Sequence, residues 1–416
     1  MASIDRRQRR NAAGKLVTSY RVRWREPDGQ ERSRTFEKKI EATRFRDVLA
    51  ADIVKGQYVD PTAGKIAFKT FAEQWLKSQT YDELTYEAVE LRLRLHATPH
   101  LGNLALNDIT PTTIRNWLRQ LNGLAPTYRQ VLFANVSTVL TAAVDDELIT
   151  NNPCKAPSVS RPKVIPKELR PWTRERVIAV RNKLPEQFRL VVWLGAGLGL
   201  RQGEIFGLSP GDIDFERGEV HVQRQVKVLS NNRLLFSLPK GGKTRRVPLP
   251  DVVHEAITAH MTARPPVDVT LPWATRAGNE VTVPLLLYSR ERGALNRNYF
   301  NPKIWRPALT RADVPAVREN GCHALRHFYA SVVLHEGETI KALAEYLGHA
   351  DPGFTLRTYT HLMEGSAART KRALDGVFGN APKTPSTHRR TQTRRAHRLE
   401  PPRRDHPPWP QRGPSL

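Results

Sequence analysis

Cysteine is almost absent from this chain, since only Cys154 and Cys322 occur among its 416 residues. They lie far apart and have no partner at metal-ligand spacing, which excludes a disulfide framework and a zinc knuckle. Long apolar runs are also missing. The longest, residues 190–200, is broken by glycines and too short to cross a bilayer, and residues 1–10 lack the apolar core of an export signal. We therefore expect a cytoplasmic protein with no membrane partner.

Positive charge is abundant. Lysine and arginine number 66 against 41 acidic residues, a formal net charge of +25. Such an excess favours a polyanionic partner, and nucleic acid is the first candidate. Hydrophobic residues make up 39% of the chain, enough for packed cores, and the length suggests two or three domains.

The N-terminal segment has the period of a β-strand over residues 20–25. One face of this strand is apolar and the other is made of Arg21, Arg23 and Arg25. Turn residues at 27–29 and a second run at 31–36 predict a small basic hairpin, followed by a helix over about 41–55. The three arginines are candidate DNA contacts, and residues 56–64 are predicted to be a linker.

Residues 65–153 have the period of helices. Thr110 and Pro111 suit an N-cap and a first helical position, and Pro126 opens another helix. The arginines on the polar faces are either solvated surface or phosphate contacts, and the net charge favours the second interpretation. The candidates here are Arg92, Arg115, Arg119 and Arg129.

The remainder is a basic, proline-rich linker (154–171), a mixed region (172–379) and a tail (380–416) whose composition predicts disorder. In the mixed region we predict strands around 219–228 and 233–247, with a hairpin turn at Gly241–Gly242. Residues 364–378 form a candidate amphipathic docking helix. The predicted fold class is α+β multidomain: a basic N-terminal sheet with a helix, an all-α domain, and a mainly α domain with a small antiparallel sheet.

Four patterns in the mixed region carry possible chemistry. Arg201 follows a glycine turn, where it could either pair with Glu204 or hold a phosphate bidentately. Lys240 and Lys243 lie at a basic hairpin tip that is either solvated surface or enters a DNA groove, where a lysine could donate a proton to a departing alkoxide. Both lysines qualify on chemistry.

His323 and Arg326 are three residues apart, so an acid/base group and a phosphate clamp would share one helical face. His323 and His327 have zinc-ligand spacing, but the glutamate that activates water in such sites is absent. Cys322 is interpreted as a packing residue. Tyr346 shares its helix with apolar residues, which favours burial, whereas Tyr359 stands among polar residues and is expected to be free to react.

Taken in order, these residues resemble the tyrosine recombinase family, and specifically phage-type integrases. The resemblance is carried by Gly-Leu-Arg201-x-Gly-Glu204, His323-x-x-Arg326-His327, Leu347-Gly348-His349 and Thr358-Tyr359-Thr360-His361. It extends to the N-terminal half through the basic hairpin, Gly56 to Pro61, His100-Leu101-Gly102, Ile109-Thr110-Pro111 and Asn152-Pro153. Only the tail after Asn380 falls outside it.

The resemblance implies an arm-type DNA-binding domain (1–64), a core-binding domain (65–153) and a catalytic domain (172–379). Tyr359 would attack a phosphodiester and form a 3′-phosphotyrosine, while Arg201 and Arg326 stabilise charge on the nonbridging oxygens. Lys240, whose spacing from Pro248 in the sequence resembles the family pattern, would protonate the leaving oxygen. His323 and His349 would handle protons. Glu204 would be structural, and no metal or cofactor is expected.

The partners implied are double-stranded DNA with attachment sites and three further copies of the chain in a homotetrameric synaptic complex. A directionality factor and a host DNA-bending protein are further expected partners, in the nucleoid of a bacterial cell. One alternative is a Xer-like or transposon recombinase, which usually lacks the N-terminal hairpin domain, and another is a type IB topoisomerase. From a different class, a non-catalytic DNA-binding protein with a decayed site is the remaining alternative.

Overall fold

The computed structural model describes residues 2–10, 16–25, 29, 31–54, 63–164, 170–359, 371 and 374–377. The chain divides into two units, residues 1–363 and 364–416, and the described residues of the second unit are helical. Most of the predicted docking helix, most of the predicted linker at 56–64 and the whole tail after Asn380 lie outside the described residues. Within the described part of the chain, no helix has the length and apolar character that crossing a membrane requires.

The N-terminal group is a three-stranded antiparallel sheet with one helix against it. Its elements are β1 (Ser3–Arg10), β2 (Leu16–Arg25), β3 (Glu31–Phe36) and α1 (Lys39–Val54), with strand order β1-β2-β3. The predicted hairpin is confirmed, since β2 pairs with β3 in a register that sets Tyr20 opposite Phe36. The alternation is also confirmed, because Val22 and Trp24 are buried against Leu49 of α1. Strand β1 was not predicted.

The helical group follows and has its own core. It consists of α2 (Phe68–Ser78), α3 (Glu83–Arg92), α4 (Thr98–Leu101), α5 (Pro111–Gln120) and α6 (Pro126–Asp145). The predicted N-cap is confirmed: the Thr113 amide donates to the Thr110 hydroxyl at 3.2 Å. Ile114, Trp117 and Val136 lie in the centre of this core, each almost wholly buried.

The mixed group contains nine helices and seven strands among its described residues. The helices are α7 (Arg174–Lys183), α8 (Leu190–Leu198), α9 (Gln202–Phe206), α10 (Asp251–Ala263), α11 (Arg297–Phe300), α12 (Arg306–Arg311), α13 (His323–His335), α14 (Ile340–Leu347) and α15 (Pro352–Tyr359). The strands are β4 (Ile213–Asp214), β5 (Glu219–Val222), β6 (Gln225–Val228), β7 (Leu234–Ser237), β8 (Arg245–Pro248), β9 (Val267–Pro272) and β10 (Glu280–Leu285). Apolar α8 is central and packs against both α13 and α10.

The predicted turn at Gly241–Gly242 is not the turn of the hairpin. Strand β6 pairs with β7 and β5 pairs with β8, so the four strands form one long, interrupted hairpin. Its tip is at Ser230–Asn232, where both asparagines have left-handed backbone angles. The glycine pair, with φ of +89° and +72°, instead lets residues 238–244 loop out of the returning arm. Lys240 and Lys243 lie on that loop.

Strands β9 and β10 were not predicted, and they pair antiparallel in a separate two-stranded sheet. Their signal was present, because buried Val267 and Val269 alternate with exposed Asp268 and Thr270. The predicted helix from Pro126 is confirmed and ends at Asp145.

The hairpin tip and the loop between β9 and β10 join the mixed group to the helical group through acidic residues on α3. Arg276 Nε lies 2.5 Å from Glu83 Oε1, and the same guanidinium pairs with Glu87. The amide of Ser230 donates to Glu87 Oε2 at 3.0 Å. Partial burial would raise the pKa of Glu87, but the Ser230 hydrogen bonds and the charge of Arg276 hold it below its usual range. The two groups are therefore linked by a specific, charged contact.

Candidate active site

Three successive carbonyl groups at the C-terminal end of α14 accept hydrogen bonds from three arginines. Arg245 Nε donates to the Tyr346 carbonyl at 2.6 Å, and Arg201 Nη2 donates to the Gly348 carbonyl at 3.3 Å. Arg326 Nη2 donates to the carbonyl between them, that of Leu347. The last carbonyls of a helix have no partner within it and carry a partial negative charge. This helix end therefore gathers the three cations.

A single buried carboxylate balances two of these arginines. The Glu204 side chain is 0% exposed, and its Oε2 and Oε1 lie 2.6 and 3.0 Å from Nη2 and Nη1 of Arg245. Arg201 Nη1 also donates to Oε1, at 3.0 Å. Burial alone would raise the pKa of Glu204, but the hydrogen bonds and charge of Arg245, with the charge of Arg201, lower it to about 2. Glu204 is therefore ionised, which agrees with the structural role predicted for it.

Two glycines make the backbone turns that present these groups. Gly199 ends α8 with φ of +65°, and a Cβ there would lie 2.5 Å from the ring of Tyr329. Its carbonyl accepts a hydrogen bond from Arg326 Nη1 at 2.8 Å. Gly348 ends α14 with φ of +63°, where a Cβ would meet the Arg245 side chain at 3.0 Å. Both motif glycines are thus required by conformation, and Gly199 also by space.

Arg326 is buried, with 1% of its surface exposed, and it also sets the tautomer of His349. Because an arginine only donates, the 3.0 Å contact from its Nη2 makes His349 Nε2 an acceptor. The His349 proton is then on Nδ1, which donates to Thr355 Oγ1 at 2.7 Å. Burial, with the charges of Arg326 and Arg201, lowers the pKa of His349 to about 4, so the ring is neutral near pH 7. Burial and the charge of Arg201 lower the pKa of Arg326 to about 9, which leaves it charged.

Tyr359, expected from its polar neighbours to be free to react, is more buried than Tyr346, whose helix favoured burial. Tyr359 ends α15 with 1% of its surface exposed, whereas Tyr346 is only half-buried. The Tyr359 hydroxyl lies 2.8 Å from Nδ1 of His327. Burial raises the pKa of Tyr359 to about 12, although the charges of Arg326 and Arg201 act in the opposite direction. The polar residues next to Tyr359 in the sequence do not predict its exposure, because its burial comes from tertiary contacts with distant segments.

The predicted acid/base side chains of His323, Lys240 and Lys243 are more accessible than Tyr359. His323, at the start of α13, is exposed and makes no hydrogen bond to a described residue, while its ring lies edge-on to that of His327 at 4.6 Å. Although part of the ring is exposed, crowding by the surrounding groups desolvates it, and together with the charges of Arg326 and Arg201 this lowers the pKa of His323 to about 4. Lys240 and Lys243 are both exposed, and neither is paired with a described residue. Cys322 is buried, which raises the pKa of its thiol.

The seven arginines predicted to contact DNA lie on the sheet and helical groups, away from this cluster. Arg23 pairs with Asp5 at 2.5 Å and Arg25 with Glu31 at 3.1 Å, both on exposed side chains. Arg21 donates to Ser33 Oγ and Arg115 donates to Ser158 Oγ, each at 2.8 Å. Arg119 is exposed, and Arg92 and Arg129 are half-buried. Arg129 Nε is buried without a hydrogen-bond partner.

Arg245 is the main residue that the sequence interpretation missed. Nothing in its immediate sequence distinguishes it from the other basic residues near the Gly241–Gly242 pair. The signal lay in the strand period: Val247 is buried, so Arg245 shares its inward face, whereas Arg246 points outward to exposed Glu219. His327, recognised only as part of a motif, is the second such residue.

The comparisons with known proteins agree with this geometry. Residues 169–365 match the profile of the Phage integrase family, and residues 67–122 match the Phage integrase N-terminal SAM-like domain. A prophage phiRv2 integrase of Mycobacterium tuberculosis is 27% identical over 379 residues, covering 88% of this chain and 95% of that protein. The chain belongs to the phage integrase family of tyrosine recombinases. It is a tyrosine-type site-specific recombinase.

Two solved structures resemble the fold of the recombinase. The Tn1549 transposon integrase in complex with a circular intermediate DNA has a TM-score of 0.63 at 18% identity, covering 74% of this chain and 99% of that one. A lambda integrase tetramer bound to a Holliday junction has a TM-score of 0.52 at 16% identity, covering 83% of this chain and 96% of that one. At these identities the likeness concerns the fold. The predicted mixed, multidomain fold class is confirmed.

Replacing Arg245 tests the role of the buried carboxylate. Arg245→Met leaves Glu204 with one arginine and the Tyr346 carbonyl without its donor, so we expect a loss of about 3 kcal/mol in the free energy of unfolding. Arg246→Met, on the same strand, removes only an exposed ion pair with Glu219 and should cost less than about 1 kcal/mol. Denaturant unfolding of both variants measures the difference. Equal, small losses would contradict the account.

Proposed function

We propose that the recombinase cuts and rejoins DNA through a covalent link between Tyr359 and a 3′ phosphate, and so integrates or excises a phage genome or mobile element. The observation that carries this proposal is the position of the phenol. Its hydroxyl lies 2.8 Å from Nδ1 of His327, the residue that follows Arg326 on α13, and Arg326 in turn contacts His349, so the phenol lies within the cluster of arginines and histidines. A phosphodiester is the anion such a site suits.

Arg201 and Arg326 would bind the nonbridging oxygens of the scissile phosphate. Arg201 Nη2 and Arg326 Nη1 now donate to carbonyl groups, and a charged phosphate oxygen can replace each carbonyl with a stronger hydrogen bond. The Arg201 side chain is 20% exposed, so a phosphate could reach the arginine cluster from that side. Because the tyrosine is 1% exposed, binding of the phosphate must include a local opening that uncovers it.

The histidines and one lysine would move protons and hydrogen-bond the phosphate. His323 is exposed with both ring nitrogens available, and His349 is held in one tautomer by Arg326 and Thr355. Lys240 would protonate the departing 5′ oxygen, and its position on a loop without ion pairs to described residues lets it reach a bound strand. The phosphotyrosine keeps the energy of the broken bond, so rejoining needs no nucleotide cofactor.

The other groups would hold DNA, and the domain boundaries expected from the sequence are part of this proposal. The N-terminal sheet would bind arm sites through Arg21, Arg23 and Arg25. The helical group, with Arg92, Arg115, Arg119 and Arg129, would bind the core site opposite the catalytic domain (172–379). Four copies would act together, as a neighbour of the same fold does on a Holliday junction. A directionality factor and a DNA-bending protein would assist in the bacterial nucleoid.

A Xer-like or transposon recombinase is the second candidate, since relatives and neighbours with those names occur. The basic N-terminal sheet favours the integrase, because it provides a DNA-binding surface beyond the helical and catalytic groups. A non-catalytic DNA-binding protein is disfavoured by the packed arrangement of arginines, histidines and tyrosine. A simple binder would have no need for a nucleophile among them.

Tyr359→Phe tests the nucleophile. We expect this variant to form no covalent adduct on a nicked core-site DNA, yet to bind that DNA with nearly unchanged affinity, because only the hydroxyl reacts. The matched control is Tyr346→Phe, which removes the hydroxyl of the other candidate tyrosine, on α14, and should still form the adduct. Denaturing gel electrophoresis of protein with labelled DNA gives the readout. An adduct on the Tyr359 variant, or its loss on the Tyr346 variant alone, would refute the assignment.

The proton donor is tested with a substrate whose leaving oxygen is replaced by sulfur. Lys240→Ala should slow cleavage of ordinary DNA about 10²-fold, while the bridging-sulfur substrate restores the rate because a thiolate leaves without a proton. Lys243→Ala is the control on the same loop and should be milder. Single-turnover cleavage rates of both variants on both substrates decide between the lysines. Sulfur rescue of the Lys243 variant alone would move the role to that residue.

A further inference from the structure

His327 has no part in the roles given so far, although its ring makes the closest polar contact of the tyrosine. The Tyr359 hydroxyl lies 2.8 Å from His327 Nδ1, and the two ring centres are 5.8 Å apart. Among the described residues, no other group is hydrogen-bonded to this hydroxyl. A group within hydrogen-bond reach of the proton to be removed is the first requirement for a general base.

From this contact, and resting on the function proposed above, we propose that His327 accepts the phenolic proton when Tyr359 attacks the phosphate. The residue would then be catalytic, since it touches the reacting oxygen. His323, one turn earlier on α13, makes no such contact with the tyrosine and remains available to the phosphate.

The protonation state of the His327 imidazole suits a proton acceptor. Burial, followed by the charges of His323 and Arg326, lowers the pKa of His327 to about 3, so the imidazole is neutral near pH 7. The tyrosine, with its pKa raised, keeps its proton, so the hydroxyl donates and Nδ1 accepts. This requires the tautomer of His327 with its proton on Nε2.

Phosphate binding would increase the basicity of His327. The charged and titratable groups that face the ring are His323 and Arg326 on α13, with His349 and Tyr359 following α14 and on α15. The Arg326 charge opposes protonation of the ring while no anion is bound. A phosphate held by Arg326 offsets that charge, so the pKa of His327 rises when the substrate is in place.

The step balances without another reagent. The phenol O–H bond breaks, the proton passes to Nδ1 of His327, and the electron pair remains on the oxygen. That oxygen bonds to phosphorus as the bond to the 5′ oxygen breaks, and the leaving oxygen takes a proton from Lys240. In rejoining, Lys240 recovers its proton from the attacking 5′ hydroxyl, and Nδ1 returns its proton to Tyr359.

The test compares His327→Asn and His327→Ala in the full-length chain. Asparagine places an amide near the position of Nδ1, so it can keep the hydrogen bond but cannot accept the proton. We expect His327→Asn to form the adduct about 10²-fold more slowly than the unaltered protein, with no recovery relative to His327→Ala. His335→Asn, on an exposed position of the same helix, is the control and should react at the unaltered rate.

A fluorinated tyrosine at position 359 separates proton transfer from positioning. Difluorotyrosine loses its proton more readily, so it should recover at least about 10-fold of the rate lost in His327→Asn and change the unaltered protein much less. If His327 only positions the tyrosine, asparagine restores the rate and fluorination recovers nothing. Unaltered or faster cleavage by His327→Asn would likewise overturn the proposal.

Two further results keep this inference apart from the proposed function. If the unaltered protein forms no adduct at Tyr359, the proposed function fails; if it does and His327→Asn matches it, only the inference fails. Should the variants not fold, nitrogen-15 NMR of the unaltered protein tests the tautomer directly. Nδ1 of His327 is expected without a proton, and a protonated Nδ1 would overturn the inference.

Discussion

The C-terminal end of α14 is the constraint on which the site depends. Its last carbonyl groups accept from Arg245, Arg326 and Arg201, which come from three separate elements. Three cations this close would repel one another, and among the described residues a fully buried carboxylate, that of Glu204, pairs with two of them, Arg245 and Arg201. The end of α14 and the Glu204 carboxylate together stabilise the three arginines, and the cluster still carries a net positive charge. The surplus charge is what a phosphate would neutralise.

The same surplus charge determines the protonation of the neighbouring groups. Desolvation and the arginine charges hold His323, His327 and His349 neutral near pH 7, while burial keeps the proton on Tyr359. The resting site therefore contains neutral acid/base groups next to permanent cations. Under the proposed function, arrival of an anion would change this balance in the direction that cleavage requires. Substrate binding and activation of the nucleophile would then be coupled through electrostatics.

Much of the fold was accessible from the sequence, because local periods and caps decide it. The β2–β3 hairpin, the Thr110 cap and the helix from Pro126 are of this kind. The errors concern contacts between distant segments. The glycine pair at 241–242 was mistaken for the hairpin tip because glycines mark any tight change of direction, whereas the pairing of β6 with β7 fixes the tip at Ser230–Asn232. The inward role of Arg245 and the burial of Tyr359 likewise depend on tertiary packing.

The central claim is that the arginines held by α14 and Glu204 neutralise charge on a phosphate. A DNA substrate with a methylphosphonate at the scissile position lacks the negative charge of one nonbridging oxygen and tests this claim most directly. Arg326→Ala should lose most of its cleavage activity on ordinary DNA and lose much less on the methylphosphonate, because the charge that the arginine neutralises is gone. Equal losses on the two substrates would contradict the account.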